Sequence, residues 1–89
     1  MTKEVRMTGY ILEDYGNIGV TSTAQEFDTG GATYSVKNNG TSIVYVGSDS
    51  NVTVNNGYPL KDGDEIFVRS PIFLIAETTG DVRFIKSDK

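Results

Sequence analysis

The residues best suited to chemistry are three carboxylates within a run of four residues, Asp62, Asp64 and Glu65 around Gly63. Hard cations such as calcium bind clustered oxygen ligands of this kind, but the spacing completes no calcium-binding loop motif. Asp and Gly are also the residues that tight turns between strands prefer. The run therefore predicts a solvated turn, and we assign no metal site to it.

Catalytic chemistry is restricted by the composition, because the chain contains no His, Cys or Trp. It lacks the imidazole base, the thiol nucleophile and the common zinc ligands. A carboxylate acts as a catalytic acid only in a pocket that raises its pKa, and turn residues are usually too well solvated for this. We therefore expect a protein that is not an enzyme, with no catalytic residue and no cofactor.

Length and charge narrow the class of protein further. A chain of 89 residues supports one domain. Its net charge is −4 and its basic residues are dispersed, so the sequence offers no basic stripe for nucleic acid. The longest apolar run, residues 72–76, is far shorter than the roughly 20 residues that span a bilayer. With no apolar secretory leader at the N-terminus, we expect synthesis in a cytoplasm and binding to neither nucleic acid nor membrane.

Short strands joined by turns are the dominant pattern. Apolar and polar residues alternate from Ala32 to Lys37, and an Asn-Asn-Gly turn then leads into a second apolar segment, which together predict a hairpin. Further strand patterns occupy residues 51–54, 65–69, 72–77 and 82–86. Strands that recur about every 8–12 residues are typical of sandwiches and barrels. The predicted fold is all-β, a small antiparallel β-sandwich or jelly-roll-like barrel with an irregular N-terminal arm.

The N-terminal third differs from the rest of the chain. Residues 4–12 could form a strand, but residues 13–28 mix apolar side chains with turn formers and predict a loop or arm. We divide the single domain into an N-terminal segment (1–30), core strands (31–86) and a tail (87–89). The apolar side chains of the arm need a surface to cover, either their own sandwich or a neighbour. The predicted partner contacts are Tyr10, Ile11, Leu12, Tyr15 and Ile18.

Three segments between Tyr34 and Ile85 carry a resemblance to a known group of proteins. They read V-K-N-N-G-T-S-I-V-Y-V-G, then N-V-T-V-N-N-G-Y-P-L-K-D-G-D-E-I-F-V, then I-F-L-I-A-E-T-T-G-D-V-R-F-I. This order resembles small β-sandwich accessory proteins of tailed-phage virions. In those proteins a strand ending in V-Y-[VL]-G precedes an N-G-x-P-L-x-x-G turn and a final D-V-R strand. The resemblance covers a little over half of the chain.

The resemblance implies a structural role in a virion, with the chain made in the host cytoplasm. The leading expectation is a capsid-decorating protein that binds the major capsid protein, with a head-fibre, head-to-tail or tail component as related possibilities. A small core also favours a homo-oligomer, for which a trimer is our guess. The alternative is a carbohydrate- or receptor-binding module that uses exposed Tyr58 and the loop at residues 49–51. Of the five tyrosines, we expect Tyr10, Tyr15 and Tyr58 to be exposed.

Overall fold

The computed structural model describes residues 13–87, and these residues form eight β-strands. Val, Ile, Thr and aromatic residues are frequent in the strands, and Gly, Asn and Asp recur in four of the seven connections. The strands are β1 (Tyr15–Val20), β2 (Gln25–Phe27), β3 (Thr33–Asn38), β4 (Val44–Gly47), β5 (Tyr58–Leu60), β6 (Glu65–Val68), β7 (Ile72–Ala76) and β8 (Gly80–Ser87).

The strands build two antiparallel sheets of four strands each. The first sheet has the order β1-β8-β3-β6 and the second the order β2-β7-β4-β5. Every connection except the one from β4 to β5 passes from one sheet to the other. This strand order is that of a jelly roll, in which two four-stranded sheets enclose one core. The prediction of an all-β, jelly-roll-like sandwich is confirmed.

The core lies between the sheets and is built from the inward-facing half of each strand. Its centre is an aromatic cluster in which the rings of Phe27, Tyr34 and Phe84 lie 5.2–5.8 Å apart between centroids. Gly16 lies beside Phe84, and a Cβ atom at Gly16 would approach the Phe84 ring to 3.0 Å. Glycine at this position of β1 therefore lets the Phe84 ring approach the strand closely.

The described part of the expected N-terminal arm is regular structure, which differs from the prediction of a loop at residues 13–28. β1 and β2 both fall within it, and they belong to opposite sheets. Ile18 and Val20 point inward and are buried, so the alternation that defines a strand is present but is masked by glycines. The proposed strand at residues 4–12 lies outside the described residues.

The predicted hairpin at the Asn-Asn-Gly turn is wrong, because β3 and β4 belong to different sheets. Asn38 explains the change of sheet. It is fully buried, its Nδ2 donates to the carbonyls of Ser42 (2.8 Å) and Leu60 (2.7 Å), and its Oδ1 accepts from the Gly40 amide (2.9 Å). These bonds link the end of β3 to β5 in the opposite sheet, so Asn38 joins the sheets instead of only turning the chain.

The predicted strand at residues 51–54 is also wrong, since this segment lies in the loop between β4 and β5. Val52 is buried by folding back onto its own sheet. A Cβ atom at Gly47 would lie 2.4 Å from the Val52 side chain, and one at Gly57 would lie 2.9 Å from it. Val52 thus holds the loop against two glycines. The apolar–polar alternation of residues 51–54 resembles that of a strand, although the segment is a loop.

Candidate functional site

The outer face of the first sheet carries a row of exposed apolar side chains. Strand register places Tyr15, Ile85, Ser35 and Phe67 side by side across β1, β8, β3 and β6. Tyr15 is 73% exposed, Phe67 67% and Ile85 56%, although each lies on a regular strand. We call these four residues the apolar row. Large apolar side chains that project together from a flat sheet are typical of a surface that binds another protein.

A polar row runs next to the apolar row on the same face. It consists of Asn17, Arg83, Lys37 and Glu65, again one residue from each strand. A shallow cavity of about 170 Å³ lies where the two rows meet. Its lining residues are Ser35, Lys37, Glu65, Arg83, Phe84 and Ile85. The face therefore offers apolar contact area together with side chains that can form ion pairs at its border.

Ser35 marks the middle of the apolar row. Its hydroxyl donates to a carboxylate oxygen of Glu65, and the residue is buried although it faces outward. A small side chain beside Ile85 and Phe67 leaves a depression between two projecting groups. A partner can fill such a depression with a side chain of its own, which is how anchor residues bind in protein interfaces.

Asp81 holds the other end of this face together. Its carboxylate accepts hydrogen bonds from Asn39 (3.1 Å), Asn17 (3.4 Å) and Arg83 (3.3 Å). The bond from Asn39 is the main cause that lowers the pKa of Asp81 below its ordinary value, and the bond from Asn17 and the charge of Arg83 act in the same direction. Asp81 thereby connects β1, β8 and the turn after β3.

The five predicted contact residues fall into three groups: one exposed, one buried and three outside the described residues. Tyr15 is the most exposed member of the apolar row, whereas Ile18 is buried in the core of its own sandwich. Tyr10, Ile11 and Leu12 lie outside the described residues. Of the tyrosines expected to be exposed, Tyr15 and Tyr58 are confirmed.

The start of the described chain is fixed to the first sheet. The Tyr34 hydroxyl donates to the carbonyl of Glu13 (3.1 Å), and the Lys86 amide donates to the carbonyl of Asp14 (2.6 Å). Burial raises the pKa of Tyr34, and the carboxylates of Asp14 and Glu13 raise it further. Glu13 and Asp14 are therefore held next to Tyr15, at one end of the apolar row.

A second surface lies at the loop between β4 and β5. It contains an open cavity of about 420 Å³ lined by Gly47, Ser48, Asp49, Asn51, Val52 and Asn56. Part of the polar lining is used within the loop, because Asp49 accepts from the Asn51 amide (2.9 Å) and Asn56 accepts from the Thr53 amide (2.8 Å). Tyr58 follows the loop and is 63% exposed, but it is not among the lining residues.

In the carboxylate run, Asp62 and Asp64 lie in the turn between β5 and β6, and Glu65 is the first residue of β6. The Lys61 amide donates to Asp64 Oδ2 (2.9 Å), and Gly63 has a φ of 85°, which favours glycine. Within residues 13–87, no three acidic, His or Cys side chains are grouped closely enough to hold a metal ion. Over the same residues, no helix is long and apolar enough to cross a membrane.

Comparison with known proteins gives no relative: no family model matches the chain, and neither a curated protein nor a solved structure is significantly similar to it. The fold and the surface geometry are therefore the structural basis for a functional proposal.

Sequence reasoning missed Phe67 and Ile85, the two large apolar side chains of the apolar row that lie outside the N-terminal segment. The sequence does indicate them, because residues 66–68 and 84–85 are consecutive apolar residues, which places apolar side chains on both faces of their strands. Ile66 and Val68 face the core, which leaves Phe67 on the outside. An antiparallel strand that is apolar on both faces indicates a covered or partner-binding outer face.

Proposed function

We propose that this chain is a non-enzymatic structural protein of a tailed-phage virion, and specifically a capsid-decorating protein. It binds the major capsid protein through the outer face of its first sheet. The observation that carries the proposal is the apolar row, in which three large apolar side chains project from a rigid sheet. Such a surface favours burial against a partner over any role in the fold of one chain.

The apolar side chains of this face can contribute favourable burial energy to a contact with a partner. Burying one Phe, Ile or Tyr side chain contributes on the order of 1.5–3 kcal/mol. Arg83, Lys37 and Glu65 border the row and can select a partner by charge. Multiple copies on a regular lattice would add further stability to the particle, because a decorating protein can contact more than one capsid subunit.

Two further observations support a virion role. The jelly roll is a fold used by viral capsid proteins and by lectins, although a fold does not determine a function. The motifs that resemble phage accessory proteins lie at defined structural positions: the V-Y-V-G strand ends at Gly47, where Val52 packs, and the D-V-R segment contains Asp81 and Arg83.

The first experiment measures how many copies of the chain each particle contains. Particles purified from the phage that encodes it are analysed by quantitative mass spectrometry, with the major capsid protein as the internal standard. We expect hundreds of copies per particle. A count of six or twelve would place the protein at the portal or tail instead, and its absence from particles would refute a virion role.

A second experiment tests the surface. The double substitution Phe67→Ser and Ile85→Ser removes two members of the apolar row, and co-sedimentation with particles lacking the protein measures binding. The matched control is Tyr58→Ser, which removes an equally exposed aromatic side chain from the second sheet. We expect binding to be lost in the double variant and retained in the control. Loss only in the control would assign binding to the second sheet.

The second candidate function is carbohydrate or receptor binding, and the cavity at the β4–β5 loop favours it. Asp49, Asn51 and Asn56 supply carboxylate and amide groups of the kind that bind sugar hydroxyls, and exposed Tyr58 could stack on a sugar ring. A glycan array with the wild-type chain and Asn51→Ala tests this function. Binding that Asn51→Ala removes would favour it over the virion proposal.

A further inference from the structure

The four edge strands of the two sheets differ in how they are protected from pairing with another chain. Native sheets protect their edges with short strands, Pro or charged residues. β5 is three residues long and has Pro59 at its centre, β2 is three residues long and contains Glu26, and β6 is four residues long and begins with Glu65. Each of these edges discourages an incoming strand.

β1 has none of these protections. Its six residues, Y-G-N-I-G-V, include no charge and no Pro. Its register against β8 is unbroken from Tyr15 opposite Ile85 to Val20 opposite Gly80, so no bulge twists the edge away. Among residues 13–87, no strand pairs with its outer edge. β1 is thus the longest free edge of the described sandwich, with backbone donors and acceptors available for pairing.

We infer that β1 pairs with β1 of a second copy of this chain, antiparallel about a two-fold axis at Asn17. The side-chain sizes make the strand self-complementary in this register. Tyr15 on the outer face then lies opposite Gly19 of the other copy, and Ile18 on the inner face lies opposite Gly16. Asn17 of one copy lies opposite Asn17 of the other, where the two amide side chains can exchange hydrogen bonds. Both large residues therefore meet a glycine, and neither clashes.

Charge favours the same edge. The chain has a net charge of −4, so two copies repel each other over most of their acidic surface. β1 itself is uncharged, and the charged residues opposite it on β8, Asp81 and Arg83, are paired with each other. Asp14, which directly precedes β1, would lie opposite the uncharged Val20 of the other copy in this register. Two copies can therefore approach along β1 without placing like charges opposite one another.

The dimer goes beyond the proposed function, because it is a contact between copies and does not involve the capsid. It joins two first sheets into one continuous eight-stranded sheet. The two apolar rows then lie on the same side of that sheet, which presents a double surface to one partner. A two-fold pair also differs from the trimer guessed from the sequence.

The test measures the mass of the full 89-residue chain by light scattering during size-exclusion chromatography. We expect about 19 kDa, twice the 9.7 kDa of one chain. Asn17→Lys places two positive charges at the two-fold axis and should give a single-chain mass. Gly19→Lys is a second variant, since a Cβ there meets no atom within 4 Å in one copy. The control is Gln25→Lys on edge strand β2, which should stay dimeric.

Amide hydrogen exchange separates the dimer from an edge covered by residues of the same chain. Outward-facing β1 amides should be protected at high protein concentration and lose that protection on dilution. Protection that does not change on dilution would overturn the inference. A single-chain or three-chain mass for the wild type, or a folded Asn17→Lys and Gly19→Lys that both stay dimeric, would also overturn it. Particle binding by the monomeric variants is measured separately, so failure of the dimer leaves the capsid proposal open to its own test.

Discussion

In β8, Phe84 points into the sandwich and is 7% exposed, whereas the next residue, Ile85, points outward and is 56% exposed. The two side chains are both large and apolar, and they lie on opposite faces of the same sheet. Phe84 contacts the rings of Phe27 and Tyr34 and lies against Gly16. Ile85 belongs to the apolar row. The inner face of this sheet is filled by side chains of the same sandwich, whereas residues 13–87 leave the outer face uncovered.

The second sheet gives a further contrast, because part of its outer face is covered by the molecule itself. The loop at residues 48–57 folds back so that Val52 is buried against Gly47 and Gly57. No comparable loop lies over the apolar row within the described residues. The outer face of the first sheet is therefore the one that leaves its apolar side chains accessible to a partner.

The largest expected effect separates the two faces of β8. Phe84→Ala should lower the free energy of unfolding by about 3–5 kcal/mol, because it leaves a cavity among the aromatic rings. Ile85→Ala should change it by only about 0.5 kcal/mol, because Ile85 is exposed to water in the single chain. Urea denaturation of both variants measures the difference. Similar losses in the two variants would mean that the outer face contributes to the fold as much as the core does.

The next effect tests the buried polar residue of the inner face. Asn38→Ala removes three hydrogen bonds and leaves the carbonyls of Ser42 and Leu60 without the Asn38 donor, at a cost of about 3 kcal/mol. Ser42→Ala is the matched control, because Asn38 bonds to the Ser42 backbone and not to its side chain. Thermal unfolding should separate the two variants clearly. If both have the same midpoint, Asn38 does not join the sheets energetically.

The fold class could be predicted from the sequence because strand alternation and turn residues are local signals. The partition of strands between sheets could not, since it depends on Asn38 bonding to Leu60, a residue 22 positions away. The same limit applies to Val52, which reads as a strand residue until its contact with Gly47 is known. The sequence predicted that Tyr15 is exposed. The position of Phe67 and Ile85 in the same row follows only from the strand register, which the sequence does not give.

A smaller effect tests the covered face of the second sheet. Gly47→Ala should cost about 1–3 kcal/mol, because a Cβ at this position would overlap the Val52 side chain at 2.4 Å. Gly40→Ala is the control, since a Cβ there meets no atom nearer than 3.7 Å, which is an ordinary contact. Urea denaturation measures both. The double variant Gly47→Ala with Val52→Ala should recover part of the loss caused by Gly47→Ala, and failure to recover it would place the cost outside the Val52 contact.

The smallest effect concerns pH and the polar end of the first sheet. Asn39, Asn17 and Arg83 lower the pKa of Asp81 in the folded chain, so ionised Asp81 stabilises the fold above the ordinary carboxyl pKa. This contribution is lost as the pH falls through the lowered pKa, where the folded carboxylate takes up its proton. Asp81 is partly exposed, which limits the gain to about 0.2–1 kcal/mol. Asp81→Asn should therefore reduce stability at neutral pH and become nearly neutral in strong acid.

The matched control for this pH effect is Asp62→Asn, which removes a carboxylate from an exposed turn. The difference in unfolding free energy between the two variants, followed by urea denaturation from neutral to acid pH, isolates the contribution of Asp81. It should decrease steadily as the pH falls. A difference that stays constant with pH would mean that Asp81 acts through neutral hydrogen bonds alone. Hydrogen bonds alone would then hold Asp81 in place, and the charge of its carboxylate would contribute little to the stability of the fold.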